Sequence, residues 1–161
     1  MELPGPFAMH RASIACCLAL PHLAVAQEPE QVVYAEVLGK AGEYGLGYEH
    51  AIAPRCSLGV AGSYALIRGQ QLLTIAPYLH ITLAGRHAHS VFAEVGAAFV
   101  HSHVPSPVAN WDGMTDDGGG GLVSFGYQHT TQRLVLRATA SAMVGEGGVG
   151  PAIGVTIGVR P

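Results

Sequence analysis

The sequence is poor in charge. Asp, Glu, Lys and Arg together make up 12% of its 161 residues, about half the ordinary share. A small soluble domain has much surface for its volume and covers that surface with charge. Much of this chain's surface is therefore not built for water. The formal net charge of −3 excludes a nucleic-acid-binding face, which is basic. Cysteine is scarce too: of the three, Cys16 and Cys17 lie in an N-terminal leader and Cys56 stands alone beyond it. One cysteine excludes an intrachain disulfide in the mature chain. Beyond the leader no uninterrupted apolar run reaches about 18 residues, which excludes a transmembrane helix there. No long window shows a helical 3.6-residue period.

The leader is legible in residues 1–26. Arg11 supplies a weakly positive start, residues 13–20 (SIACCLAL) an apolar stretch, and Ala24-Val25-Ala26 a small-x-small cleavage site before Gln27. The expected organisation is a cleaved signal peptide over 1–26 and a single domain over 27–161. An exported, apolar, glycine-rich chain without a membrane helix points to a barrel in an outer membrane.

What is present is alternation. Eight runs of period two are expected to be strands, over 32–40, 43–53, 57–67, 72–84, 91–103, 119–130, 133–144 and 150–160. Each is long enough for a tilted membrane strand of about 9–11 residues. Gly, Pro or charged residues stand between them, including Ala41-Gly42, Pro54-Arg55, Arg68-Gly69, Thr131-Gln132 and Glu146-Gly147. Within the runs, one face is large and greasy: Tyr44, Leu46, Tyr48; Leu58, Val60, Tyr64; Leu79, Ile81; Phe125, Tyr127; Ile157, Val159. The opposite face is Gly, Ala, Ser and Thr with a few charges. A soluble sandwich would bury the large residues and show lysine and glutamate to water. Here the small face suits the interior of a narrow barrel, the inside-out pattern of membrane barrels. The expected fold is an all-β, closed, antiparallel, eight-stranded, transmembrane up-and-down barrel.

Several details follow. A two-residue turn at Ala41-Gly42 would set Lys40 opposite Glu43 and Glu36 opposite Gly47. Both termini and the short turns would lie on the periplasmic side. The outer loops would be 40–43, 67–71, 104–118 and 145–149, with 104–118 the longest. Pro77 interrupts the fourth strand and is expected to mark a bulge. The Gly118–Gly121 run would let the chain re-enter the sheet.

The stretches YAEVLGKAGEYGLGYE, LLTIAPYLHITL and FAEVGAAFV, after a leader ending AVAQ, resemble the small eight-stranded outer-membrane barrel proteins of Gram-negative bacteria. These are the OmpA-transmembrane-domain, OmpX and OmpW-like group. The likeness is one of pattern and spans nearly all of 32–160. It implies a closed membrane barrel with a plugged, polar interior, and no single activity.

Glu36, Glu49, His80, Glu94 and Arg137 fall on the small face and are expected to form one interior charge layer. Three carboxylates against one arginine and one histidine is an acidic excess that a dry interior disfavours. Arg137 is the expected counter-charge of Glu36 and Glu49. The His87/His89 and His101/His103 pairs have i, i+2 spacing but fall in a turn and at a rim, where polar aromatic side chains belong; no metal and no cofactor is expected. A lipid deacylase would need histidine and serine on one face, and His101 and Ser102 point oppositely. The expected role is structural or that of a narrow pore, not enzymatic. The alternatives are a lipid-modifying barrel enzyme and a soluble secreted barrel binding a small hydrophobic ligand. Leu46, Tyr48, Leu79, Phe125 and Ile157 separate the last from a membrane barrel, according to whether they face in or out. Outer-membrane lipid is the expected partner, with an extracellular partner at 104–118, no nucleic acid, and a monomeric state.

Overall fold

A strand with one greasy and one small polar face satisfies both only if the sheet curls and closes. The computed structural model describes residues 30–67, 69–106, 113–145 and 148–161. Residues 1–29, with the expected signal peptide and Cys16 and Cys17, together with Arg68, residues 107–112 and Glu146-Gly147, lie outside the described residues. Eight strands follow in chain order: β1 (Gln31–Gly39), β2 (Gly42–Ala53), β3 (Cys56–Ile67), β4 (Gln70–Arg86), β5 (His89–Val104), β6 (Met114–Thr130), β7 (Leu134–Gly145) and β8 (Gly148–Val159). Every neighbour is antiparallel, and β1 pairs with β8 to close the barrel. Closure leaves no free edge, so backbone donors and acceptors are satisfied within the sheet.

Every discriminating side chain points outward. Leu46 is 71% exposed, Phe125 59% and Ile157 55%; Tyr48 is also exposed, and Leu79 is half-buried on the same outward face. The buried residues are instead mostly Glu, Lys, Arg, His, Gln, Ser, Thr and Ala, with a few aromatics, Cys56 and the aliphatics Val32, Leu122 and Val135. A ligand-binding soluble barrel has the reverse polarity and is excluded on that ground.

The interior is filled by aromatic rings laid over glycines. Tyr34, Tyr78 and Phe92 point in, and each stands directly opposite a glycine on the next strand: Gly47, Gly59 and Gly126. A Cβ on any of these glycines would fall within the facing ring. The small inward face is thus not merely narrow; it is notched for three rings.

Four local expectations are corrected. The first turn is Lys40-Ala41, since Gly39 pairs with Gly42, so Glu36 lies opposite Gly45 and Tyr34 opposite Gly47. The slip is two residues, which preserves the faces. Pro77 makes no bulge: the β4–β5 register is the same on either side of it, with Ile75 opposite Phe99 and Tyr78 opposite Gly96. Its ring points outward, and the missing N–H is accommodated by a close approach of β5 at Gly96, where a Cβ would strike the Pro77 carbonyl. The register shift of β4 falls instead between Thr82 and Ala84. Finally, β6 begins at Met114, so the Gly118–Gly121 run lies inside the strand, paired with Val100 to Ala97 of β5.

The notches predict a coupled effect. Gly47→Ala displaces the Tyr34 ring and destabilises the folded barrel by about 1–3 kcal/mol. The same change in a Tyr34→Ala background costs markedly less, a positive coupling measurable by urea unfolding in micelles as a double-mutant cycle.

Candidate functional site

The inward face carries the ionisable groups. Glu36, Glu49, His80, Glu94 and Arg137 all lie inside, each 0–3% exposed. Lys40, the chain's only lysine, joins them at 1% exposure. These groups form two centres.

In the first, Arg137 of β7 reaches across the lumen to Glu49 of β2. Its Nη1 donates to Glu49 Oε2 at 2.7 Å and its Nη2 to Oε1 at 3.0 Å, a two-pronged pair. Arg137 Nε donates to Gln128 Oε1 at 2.6 Å, from the residue directly opposite on β6. Glu49 Oε2 also accepts the Tyr78 hydroxyl at 3.0 Å. Tyr78 has one hydroxyl proton and gives it to Glu49, so the Tyr34 hydroxyl is the donor in its 2.7 Å bond to Tyr78.

In the second centre, Lys40 Nζ lies 3.1 Å from Glu94 Oε2 and 3.5 Å from Glu36 Oε1. His80 Nδ1 stands 3.3 Å from Glu94 Oε1, and its ring stacks on Phe92 with centroids 4.5 Å apart. The tyrosines lie between the centres. Lys40 Nζ is 4.3 Å from the Tyr78 ring centroid, and the Arg137 guanidinium carbon is 6.0 Å from that of Tyr34. Both cations therefore gain a π-face as well as a carboxylate.

Lys40 is the residue that sequence reasoning missed. A turn residue is placed outside by default, but here the backbone rotates just before the turn. Leu38 adopts a left-handed φ of 59° and turns its side chain outward, while Gly39, Lys40 and Ala41 are buried. Leucine pays roughly 1–2 kcal/mol for that conformation. The signal was present in its spacing: Lys40 stands four residues after Glu36, on the same parity. With it, three carboxylates face two basic side chains besides His80, and the acidic excess is smaller than the composition of the layer implied. Glu36 pairs with Lys40 rather than with Arg137. Neither Glu36 oxygen has a hydrogen-bond partner, so the remaining excess is concentrated there.

Oxygens of Glu49 and Glu94 and a ring nitrogen of His80 lie within 4.8 Å of one another. A cation there would have to displace Arg137 and Lys40, so the donor set fits an ion-pair lattice better than a metal centre. At the rim, His101 and His103 share the outward face, and each is tied to β6: His101 Nδ1 is 2.5 Å from Asp117 Oδ1, and His103 Nδ1 is 3.1 Å from Thr115 Oγ1. Ser102 points inward and accepts from Gln70 Nε2 at 2.6 Å. His87 occupies the β4–β5 turn with φ 58°. Cys56 is buried at the start of β3.

No protein-family model and no curated protein matches the sequence. Solved structures match by shape. The N-terminal β-barrel domain of Pseudomonas aeruginosa OprF superposes with a TM-score of 0.62 at 12% identity, over 83% of this chain and 98% of that one. The fold is that of the small eight-stranded outer-membrane barrels. Yersinia pestis Ail in phospholipid bilayer nanodiscs gives a TM-score of 0.52 at 12% identity, covering 83% of this chain and all of that one. The crystal structure of Ail gives 0.51 at 9% identity, over 80% and 91% of the two chains. At such identities the likeness concerns the backbone alone. The interior network rests on this chain's own residues.

Removing one partner of a buried pair leaves the other charge stranded. Arg137→Met is expected to cost about 3–5 kcal/mol in urea unfolding. The Glu49→Gln, Arg137→Met double variant loses less than Arg137→Met alone. Equal losses would mean that Glu49 finds water in the folded barrel.

Proposed function

We propose that the chain is an integral outer-membrane barrel with a sealed interior, acting as a structural membrane element and not as an enzyme. The observation that carries this reading is the inverted polarity: large apolar side chains cover the outside, while a buried, largely ion-paired charge network fills the inside. Tyr44 and Tyr64 near one end of the outward face, and Tyr127 near the other, suit the two interfacial girdles of a membrane barrel.

The two ends also differ in charge. Arg55, Arg86, Arg133 and Arg160 all lie at the end that carries the chain termini and the β2–β3, β4–β5 and β6–β7 turns. Among the described residues Glu43, Asp116 and Asp117 lie toward the opposite end, and Glu30 alone adds an acid to the arginine end. The arginine end suits the anionic phospholipid headgroups of an inner leaflet, which supports a periplasmic orientation for the short turns. The connection between β5 and β6, shorter than expected because β6 starts at Met114, then faces outward as the candidate contact for an extracellular partner. Closure through β1 and β8 supports a monomer, since no strand edge is left for a second copy.

Against an enzyme stand two arrangements. His101 and Ser102 lie on opposite faces of β5, and both Glu49 and Glu94 are held by cations rather than poised as acid or base. Against an open pore stands the Arg137–Glu49 pair, which spans the lumen.

The expected outcome is a protein in the outer-membrane fraction whose gel migration shifts on boiling, and which shows no discrete conductance steps in planar bilayers. Recovery in the soluble fraction with migration indifferent to boiling would overturn the membrane reading. Regular conductance steps from the native barrel would overturn the sealed one.

A further inference from the structure

The sequence draws attention to histidines two apart along a strand, but the register creates a closer pair across strands. His89 opens β5 and stands directly opposite His129 near the end of β6. Both side chains are on the outward face at the terminal end of the barrel. His89 Nδ1 and His129 Nδ1 are 3.3 Å apart, with ring centroids separated by 4.7 Å. The Tyr127 hydroxyl also contacts His89 Nδ1, from two residues along β6. Three polar atoms thus converge on one point at an accessible surface.

The separation matters. Two imidazole nitrogens bound at about 2.0–2.1 Å to one tetrahedral metal ion lie roughly 3.3–3.4 Å apart. The pair already holds that spacing. The backbone beneath it is fixed on both sides, because the β5–β6 ladder runs unbroken from His89–His129 to Val104–Met114, and Thr130 N donates to Ala88 O at 2.7 Å. Without a metal, two facing lone pairs would repel, so one Nδ1 carries a proton and donates to the other. A bound cation requires only that this proton move to the Nε2 of the same ring, leaving both imidazoles neutral. Little reorganisation separates the free pair from a chelate.

We infer that His89 and His129 form a binding site for a late first-row divalent transition-metal ion, beside the Tyr127 hydroxyl. Imidazole donors suit Cu²⁺, Ni²⁺ and Zn²⁺, with Cu²⁺ bound most tightly. Hard cations such as Mg²⁺ and Ca²⁺ prefer oxygen ligands and are not expected to compete. The site is independent of the interior ion pairs and of whether the barrel conducts.

Cu²⁺ is the probe. The untagged chain, purified in detergent micelles, is titrated with Cu²⁺ and followed by electron paramagnetic resonance. The expected result is one saturable site whose spectrum shows coupling to two imidazole nitrogens. His129→Gln is expected to weaken binding at least tenfold and leave one such nitrogen, whereas His101→Gln, at the other end of the barrel, leaves both. Heat-modifiable migration establishes that each variant is folded. Saturable binding that survives both His89→Gln and His129→Gln overturns the assignment. So does a native spectrum with one nitrogen or none, whatever the variants do.

Discussion

The pair between Arg137 and Glu49 is the interaction on which the rest of the interior depends. A guanidinium removed from water must meet its full set of acceptors, because the desolvation cost of a buried ion is several kcal/mol. Arg137 meets that demand with both oxygens of Glu49 and the amide oxygen of Gln128. Glu49 in turn needs a further donor, and Tyr78 supplies it. Tyr78 then needs a donor for its own oxygen, and Tyr34 is placed to provide it. Each partner's requirement specifies the next. The chain of bonds ties β7 to β2, β4 and β1, so the barrel is braced across its width as well as around its wall.

Space for this brace comes from the glycines. A narrow eight-stranded barrel has just enough interior for side chains. Three inward rings fit because each lies over a glycine on the neighbouring strand. The same economy explains the first hairpin. Its tip turns into the lumen instead of standing above it, carrying Lys40 to Glu94 and Glu36. The left-handed Leu38 is the strained point that allows this, and it sends the one large apolar side chain of the tip outward, where the other large apolar residues are.

Much of this was legible in the sequence, and the reasons differ by level. Strand number, faces and the inverted polarity follow from period-two alternation, which depends on the backbone pleat alone. That is why Leu46, Phe125 and Ile157 could be assigned without knowing what they touch. The membership of Glu36, Glu49, His80, Glu94 and Arg137 in the inward face follows from the same parity. Partnership does not. Which carboxylate meets Arg137 depends on barrel shear, a global property no single strand encodes. Lys40 was lost because its position depends on a dihedral flip at Leu38, and leucine carries no propensity for it. The Pro77 bulge failed for a related reason: proline removes a donor, but whether the neighbour shifts register or simply draws near depends on the residues beside it. Here Gly96, opposite Tyr78 on β5, permits close approach to the Pro77 carbonyl. The His89–His129 contact was invisible to spacing along one strand and appears only once β5 and β6 are in register.

The proposed sealed interior has a consequence for where activity can reside. The lumen is filled by buried side chains, and the outer wall presents mostly apolar surface. Accessible polar groups then gather at the two rims. At one rim, His101, Asp116 and Asp117 stand on the β5–β6 hairpin. At the other, four arginines ring the barrel beside the His89–Tyr127–His129 cluster. The asymmetry is not imposed by the fold, since closure and alternation would tolerate either sign at either end. Among the described residues it separates the two rims chemically: acid and histidine on one, and guanidinium with paired imidazole, beside Glu30, on the other. The barrel wall fixes the distance between these two surfaces and keeps them on opposite sides of whatever layer it spans.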